Sequence, residues 1–561
     1  MPLVVDRAVP PEAATALITA GVPPLLARIY AARGIASARD LATEFGHLAA
    51  PAAMLNLPEM AARLADAIAV QKKLLIVADY DADGATACAV GIRALRAFGA
   101  TVEFLVPNRF EYGYGLTPEI VRIAYESFHP DILITVDNGI SSLEGVAEAS
   151  RLGMETLITD HHLPGQRLPD ATCIINPNQP GCAFPSKNLA GVGVMFYLML
   201  ALRAELRGRR GSAEPNLADL LPIVALGTVA DVVPLDQNNR ILVQQGLTRI
   251  RAGRMQPGIA ALFEAAGRDA RRATTRDLGF ALGPRLNAAG RLSDMSLGIE
   301  CLVTDDDGRA RGIAAELNRL NRERRSIESG MREEAIAAVE ARDYGESFTL
   351  SLYDPSWHQG VIGILAGRIK DRFHRPAIAF APGGGGELRG SGRSIPALHL
   401  RDALDRVAVL HPGLILKFGG HAAAAGLSLR EDDFERFKAA FEDAVRKLVS
   451  PADLERVIET DGALAPGEIT RETVEMLAEP VWGHGFPAPR FCDEFEVAAQ
   501  RVVGEKHLRL TLARGSSRIE AMRFFNADAA PRRIRAVYHP MLNEYNGRTS
   551  VQLNIEHWEV A

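Results

Sequence analysis

The sequence predicts a multidomain α/β protein built on a doubly wound, largely parallel sheet, followed by a long connecting helix, a smaller α/β domain and a C-terminal β-barrel of the OB-fold type. Three observations predict this. Between Lys73 and Cys173, short β-prone runs (Leu74–Ala78, Thr101–Val106, Ile132–Val136, Thr156–Thr159 and Thr172–Ile175) alternate with helix-forming segments, the rhythm of strands joined by crossover helices. From about Asp305 to Arg342 the apolar residues Ile313, Leu317, Leu320, Ile327, Met331 and Val339 recur at helical spacing among many charges. From about Thr460 onward, the segments 491–498, 507–513, 518–523, 535–539 and 549–556 alternate with turn residues, as in a small closed barrel. The expected domains are a helical cap over 1–70, the large α/β domain over 71–300, the connecting helix over 301–345, the second α/β domain over 346–455 and the barrel over 456–561.

Composition narrows the function. The chain has 561 residues, enough for three or four domains, with 47% hydrophobic and 24% charged residues, as in ordinary globular proteins. A net charge of −6 excludes a global basic field, so a nucleic-acid partner has to be held by local clusters of Arg and Lys. Five scattered cysteines (Cys88, Cys173, Cys182, Cys301 and Cys492) form no Cys-x-x-Cys pair, which argues against a thiolate zinc site and for a reducing compartment. No apolar run is long enough to span a membrane, and Met-Pro-Leu-Val-Val-Asp-Arg carries no signal-peptide pattern. The expectation is a cytoplasmic protein with no membrane partner.

The chemistry starts at Leu74–Thr86, where an aliphatic run meets Asp79, Asp81 and Asp83 at alternating positions. In extended backbone these carboxylates share a side, where they repel one another unless a cation intervenes. The plain alternative is an acidic turn capping the next helix. Two further strands of the same expected sheet also end in ligand types, Asp137-Asn-Gly139 and Asp160-His-His162. Functional groups gather past the carboxyl ends of parallel strands, so three such ends at one edge point to a metal centre. Asp231, set among Val229, Ala230, Val232 and Val233, is a fourth contributor if it is buried, or else a helix-terminal acid paired with an arginine.

Several segments are candidates for holding phosphate. Pro107-Asn-Arg109 follows the second strand, and the glycine-bounded Gly283–Arg291 stretch contains Arg285 and Asn287. Gly390–Ile395 includes Arg393, and Gly419–Gly426 pairs two glycines with His421 and a run of alanines. Arginine forks and exposed backbone amides suit phosphate oxygens, whereas salt bridges or tight helix packing explain the same residues without a ligand. In the barrel region, Arg518 and Arg523 interleave with Phe524, Tyr538 and Tyr545, the cations and flat rings that a single-strand groove needs.

Asp79–Gly84, Asp137–Gly139, Asp160–His162 and Asp231 stand in the order and spacing of the four motifs of the DHH phosphoesterase superfamily. Gly419–Gly426 is similar to the signature of that superfamily's DHHA1 domain. With Pro107–Gly115, Gly283–Arg291, Ser356–Gly363 and Gly483–Pro489, the chain resembles the branch of bacterial single-strand-specific 5′→3′ DNA exonucleases that act in repair and recombination. The resemblance implies two divalent cations, Mn²⁺ favoured and Mg²⁺ possible, with Asp79, Asp81, Asp83, Asp137, His161 and Asp231 as ligands and Asp137 as the bridge. It implies that His162 meets the scissile phosphate or orients a ligand, that Asp160 supports the imidazoles, and that Arg109, Arg393 and His421 contact substrate phosphates. Many shorter members place a histidine where this chain has Leu75, so a carboxylate of the 79–83 group has to fill that place. Implied partners are single-stranded DNA, a single-strand-binding protein and a helicase, with the chain a monomer. Two other readings are a DHH phosphodiesterase acting on short RNA or cyclic dinucleotides, and a catalytically silent scaffold.

Overall fold

The computed structural model describes residues 2–561 apart from 109–111, 113–114, 212–213, 341–346, 466 and 546–547, with the side chains of residues 545 and 548 also left aside. The chain divides into two compact units, one made of Asp6–Asn318 with Glu459–Ala561, the other of Met1–Val5 with Arg319–Ile458.

After a short strand, β1 (Leu3–Asp6), the larger unit builds a sheet from β2 (Lys73–Ala78), β3 (Thr101–Leu105), β4 (Ile132–Val136), β5 (Glu155–Thr159) and β6 (Cys173–Ile175), within a residue or so of the expected runs. The spatial order is β3-β2-β4-β5-β6, and every neighbouring pair is parallel. Alternation along β2 sends Leu75 and Val77 into a core with Ile120, Val121 and Val146, from the helices Pro118–Phe128 and Leu143–Arg151. Ile76 faces the other way, against Gly91 of the helix Ala82–Ala97, where any added Cβ would lie 2.9 Å from its Cδ1. Both faces are therefore covered, as a doubly wound sheet requires.

In the smaller unit the sheet runs β10-β11-β9-β8-β7, from β7 (Leu350–Tyr353), β8 (Ala377–Gly384), β9 (Glu387–Arg393), β10 (Lys417–Gly420) and β11 (Ala424–Arg430), with only β7–β8 parallel. The Gly419–Gly426 segment forms a hairpin here, neither an open loop nor a helix contact. Gly420 takes φ 143°, and a Cβ there would strike the Ala424 carbonyl, so the glycine serves the turn. The long helix spans Asp307–Glu340, and its Met331, Ala335 and Val339 pack on Leu350, Trp357 and Leu365.

β12 (Val457–Thr460) pairs with β1, an association that leaves no sequence-local signal. The barrel closes in the order β13-β14-β15-β17-β16, from β13 (Phe491–Val503), β14 (His507–Arg514), β15 (Ser517–Arg523), β16 (Arg533–Tyr545) and β17 (Arg548–Val560). Tyr538 is a correction to the sequence reading. It is fully buried in the barrel core and donates from Oη to Asp493 Oδ2 at 2.7 Å, so its ring has no face for a base. Among the described residues, no helix is long and apolar enough to cross a membrane.

The barrel is fastened to the rest of its unit by polar and aromatic contacts. The buried Arg33 guanidinium binds Asp461 in a bidentate pair at 2.6 and 2.9 Å, while the Gly483–Phe486 turn packs on Pro234 and Leu235, the Leu235 N–H donating to His484 O at 2.7 Å. Removing one partner of a buried pair strands the other charge. Arg33→Met is therefore expected to lower stability by about 3 kcal/mol in urea unfolding of the full chain. Arg7→Met, which breaks a pair with the exposed Glu459, is expected to change it by less than about 1 kcal/mol.

Candidate metal centre

Four backbone segments deliver the site. β2 ends at Ala78, and the chain turns through Asp79–Asp81 into the Ala82–Ala97 helix. Asp81 is the N-cap of that helix, its Oδ1 accepting the N–H groups of Asp83 and Gly84 at 2.9 and 3.1 Å. The helix-capping alternative thus describes one oxygen of one residue. Asp79 accepts its neighbour Tyr80 N–H at 2.8 Å, and Gly84 is required because a Cβ would fall on the Asp79 carbonyl. Asp83 points back into the protein, fully buried, and accepts Gly191 N–H at 2.6 Å and Val192 N–H at 2.9 Å, the first amides of the helix Gly191–Arg210. A carboxylate there meets the positive end of the helix dipole.

β4 leads into Asp137, whose φ of 61° turns the chain sharply, and whose Cβ would lie 2.7 Å from a Cβ on Gly191. Non-glycine residues held at positive φ cluster at functional sites. Asn138 ties the strand ends together, donating to Val77 O and Val136 O. β5 leads into Asp160, which accepts Ile140 N–H on one oxygen and the His161 and His162 N–H groups together with His162 Nδ1, at 2.7 Å, on the other. Asn178 and Asn176 hold the carbonyls of His161 and His162. Asp231 closes the helix Leu221–Ala230.

These segments converge on His161 Nε2. It lies 3.0 Å from Asp137 Oδ1, 3.7 Å from Asp231 Oδ2 and 3.9 Å from Asp83 Oδ2, yet it is buried and makes no hydrogen bond. A second group forms where Asp79, Asp81 and Asp137 each offer an oxygen within 4.8 Å of the others, and His162 joins Asp137 and His161 in a third. Burial raises the pKa of Asp83 and Asp137 well above the ordinary carboxylate range, and the neighbouring carboxylates raise it further. Burial also raises Asp231, partly offset by His161. It holds His161 low, against the pull of Asp231, which favours the neutral ring and its lone pair. On His162 burial works against the charge, but the Asp160 hydrogen bond and the charges of Asp160, Asp79 and Asp231 outweigh it and push the pKa up to about 9. A bare imidazole nitrogen aimed at several buried carboxylates is the donor set of a hard-to-borderline divalent cation.

The Gly283–Arg291 segment, expected as a phosphate loop, is the helix Gly283–Leu292 and braces this site. A Cβ on Gly283 would lie 3.0 Å from Ala230 Cβ, beside Asp231, and one on Gly290 would fall on the Tyr80 carbonyl. Asn287 Oδ1 accepts Ala82 N–H at 2.9 Å. Arg285 is buried and donates to Asn318 Oδ1 and to the carbonyls of Ala281 and Ala265. Asn287, Asn138, Asn176 and Asn178 are the supporting residues that motif reading undervalued. Only Asn138, directly after Asp137, carries a local signal; the other three reach their partners across the fold.

Of the other expected contacts, Arg109 lies outside the described residues, as does the Tyr545 side chain. Arg393 sits in the smaller unit, its Nη1 donating to Ser391 Oγ and Gly392 O; exposed His421 occupies the β10–β11 turn. On the barrel, Arg518 is exposed, Arg523 lies 3.8 Å over the Trp558 ring, and Phe524 is partly exposed next to Phe525.

The charge balance gives a test. Carboxylates whose pKa is raised on folding stabilise the fold only while protonated, so their contribution is lost as pH rises through the raised folded values. Chelator-treated protein is expected to lose thermal stability as the pH rises above the ordinary carboxylate range, and saturating Mn²⁺ to restore it. Asp137→Asn is expected to melt higher than wild type without metal and to gain less from Mn²⁺.

Comparison with known proteins agrees with this geometry. Residues 73–228 match the DHH family N-terminal domain, 345–447 the DHHA1 domain and 460–557 the RecJ OB domain. The single-stranded-DNA-specific exonuclease RecJ of Dickeya dadantii (strain 3937) is 51% identical over 553 residues, covering 96% of both chains. The crystal structure of RecJ in complex with Mn²⁺ from Thermus thermophilus aligns with all of this chain and 79% of its own at 30% identity and a TM-score of 0.83. The corresponding Mg²⁺ complex aligns with all of this chain and 78% of its own, at 28% identity and a TM-score of 0.77. The acidic cluster is a divalent-metal site, and the chain belongs to the RecJ family of DHH-type exonucleases.

Proposed function

We propose that the chain is a metal-dependent exonuclease that releases mononucleotides stepwise from the 5′ end of single-stranded DNA. The observation that carries this reading is the bare His161 Nε2 facing Asp83, Asp137 and Asp231, at the carboxyl edge of the sheet, in a chain that follows the family over nearly its whole length. One cation would be held by Asp79, Asp81 and Asp137 and a second by Asp83, Asp137, His161 and Asp231, with Asp137 shared and the imidazole favouring Mn²⁺ over Mg²⁺. When bound, such a pair neutralises the non-bridging phosphate oxygens, lowers the pKa of an attacking water and stabilises the leaving oxygen of an in-line displacement.

The protein's own groups do the positioning. Asp160 accepts from His162 Nδ1 and so orients the ring, whose Nε2 is assigned to a phosphate oxygen. Buried Leu75 cannot supply the ligand that a histidine gives in shorter relatives, and Asp79 takes that role, two residues before Asp81 on the same loop. Arg109, Arg393 and His421 are assigned to substrate phosphates. At Arg393 the support is local, since Ser391 and the guanidinium lie over Gly363 in the first turn of the helix Ile362–Phe373, a place suited to an anion. Arg285 and Asn287, spent on internal hydrogen bonds, brace the site instead. Arg518, Arg523 and Phe524 are assigned to the incoming strand. A helicase and a single-strand-binding protein would deliver that strand to a cytoplasmic monomer.

A time course on 5′- and 3′-labelled single strands, duplexes and dinucleotides with Mn²⁺ or Mg²⁺ tests the reading. Labelled mononucleotide appearing first from the 5′ end of single strands alone is expected. Cleavage of dinucleotides with long strands left intact would replace this reading by the phosphodiesterase. Asp137→Ala is expected to abolish turnover with the fold retained. Because the barrel is fastened through Arg33 and Leu235, point changes are the clean probe of its role. Arg518→Ala with Phe524→Ala is expected to weaken binding of long strands by about 1–3 kcal/mol, with little effect on dinucleotide-length chemistry.

A further inference from the structure

Two large apolar side chains stand exposed on segments that adjoin Asp231: Val232 in the chain itself, and Phe280 on a turn packed against the helix Leu221–Ala230. Val232 follows Asp231 directly, is 61% exposed and holds φ 64°, a conformation that a β-branched residue adopts only under constraint. Phe280 is 75% exposed, whereas Leu278, Ala281 and Leu282 around it are buried. Helical turns run from Thr275 to Leu292, but over Leu278–Leu282 they widen to a π-turn in which Gly283 N–H bonds Leu278 O. Pro284 explains the widening: it has no N–H to give, and in a regular α-helix its ring would crowd the Phe280 carbonyl. Gly279 and Gly283 seat this turn on the helix that ends at Asp231, with Cβ positions 3.2 Å from Val229 Cγ1 and 3.0 Å from Ala230 Cβ. The widened turn that carries Phe280 therefore packs on the last turn of the helix that ends at Asp231.

We propose that Phe280 and Val232 form an apolar shelf beside Asp231 on which the nucleobase next to the scissile phosphate lies. The proposal rests on the exonuclease reading and extends it to substrate selection. Phe280 and Val232 leave most of their side-chain surface to solvent, and a strand whose phosphate sits at the carboxylates would bring a base's flat, apolar face into their neighbourhood. A base stacked on the ring has left its partner and its neighbour in the strand, which a single strand permits at small cost and a duplex does not. The shelf thus contributes to single-strand specificity without reading sequence, since every base has a π-face.

The test compares full-length wild type, Phe280→Ala and Phe280→Trp with Mn²⁺, on a normal single strand and on one whose terminal nucleotides are abasic. Wild type and Phe280→Trp are expected to favour the normal strand, and Phe280→Ala to lose about ten-fold or more in kcat/KM on that strand while its rate on the abasic strand holds. The readout is the ratio of the two substrates, so a fall in folded protein does not alter it. An unchanged ratio in Phe280→Ala, with wild type degrading single strands, would overturn the shelf and leave the exonuclease reading standing. Failure of wild type to degrade any single strand would overturn both.

Discussion

The rest of the structure depends on one unfavourable interaction: Asp83, Asp137 and Asp231, the first two fully buried, are brought within 4 Å of one imidazole nitrogen that makes no hydrogen bond. Left alone, this arrangement shifts each carboxyl toward its neutral form. A chain keeps such a cluster only where a cation completes it, and the strain is then part of the binding site.

The fold enforces the convergence through parallel strands and glycines. Register alone brings Ala78, Val136 and Thr159 level at one sheet edge, so the acids that follow them share it. Glycines then let the chain approach more closely than any Cβ allows, Gly84 and Gly290 against the carbonyls of Asp79 and Tyr80, Gly191 and Gly227 against the side chains of Asp137 and Thr86. The helix Gly283–Leu292 spans from Ala230, beside Asp231, to the Asp79–Asp81 turn, and so couples the two walls of the site that lie farthest apart in sequence.

Much of this was legible in the sequence, for physical reasons. A buried parallel strand is a short apolar run, and its functional residues stand immediately after it, so the β2, β4 and β5 ends announced themselves. Glycine and arginine carried less information, because a glycine-bounded arginine segment fits an anion loop and a close helix contact equally well. At 283–291 the distinction lay in Tyr80 and Ala230, residues distant in sequence. The same limit applies to Tyr538, whose alternation along β16 placed it inward, and to the β1–β12 pair, which is set wholly by tertiary contact. The turn at Phe280 was hidden because Pro284 reads as a helix start, whereas here it follows a widened turn of a continuous run.

The central claim is that this cluster holds two cations through a shared Asp137. Anomalous diffraction at the manganese edge from crystals of the full chain grown with Mn²⁺ tests it most directly. The account predicts two peaks about 3.5–4 Å apart, one among Asp79, Asp81 and Asp137 and the other among Asp83, Asp137, His161 and Asp231. Manganese bound elsewhere, with His161 Nε2 and its three carboxylates left without a peak, would contradict it.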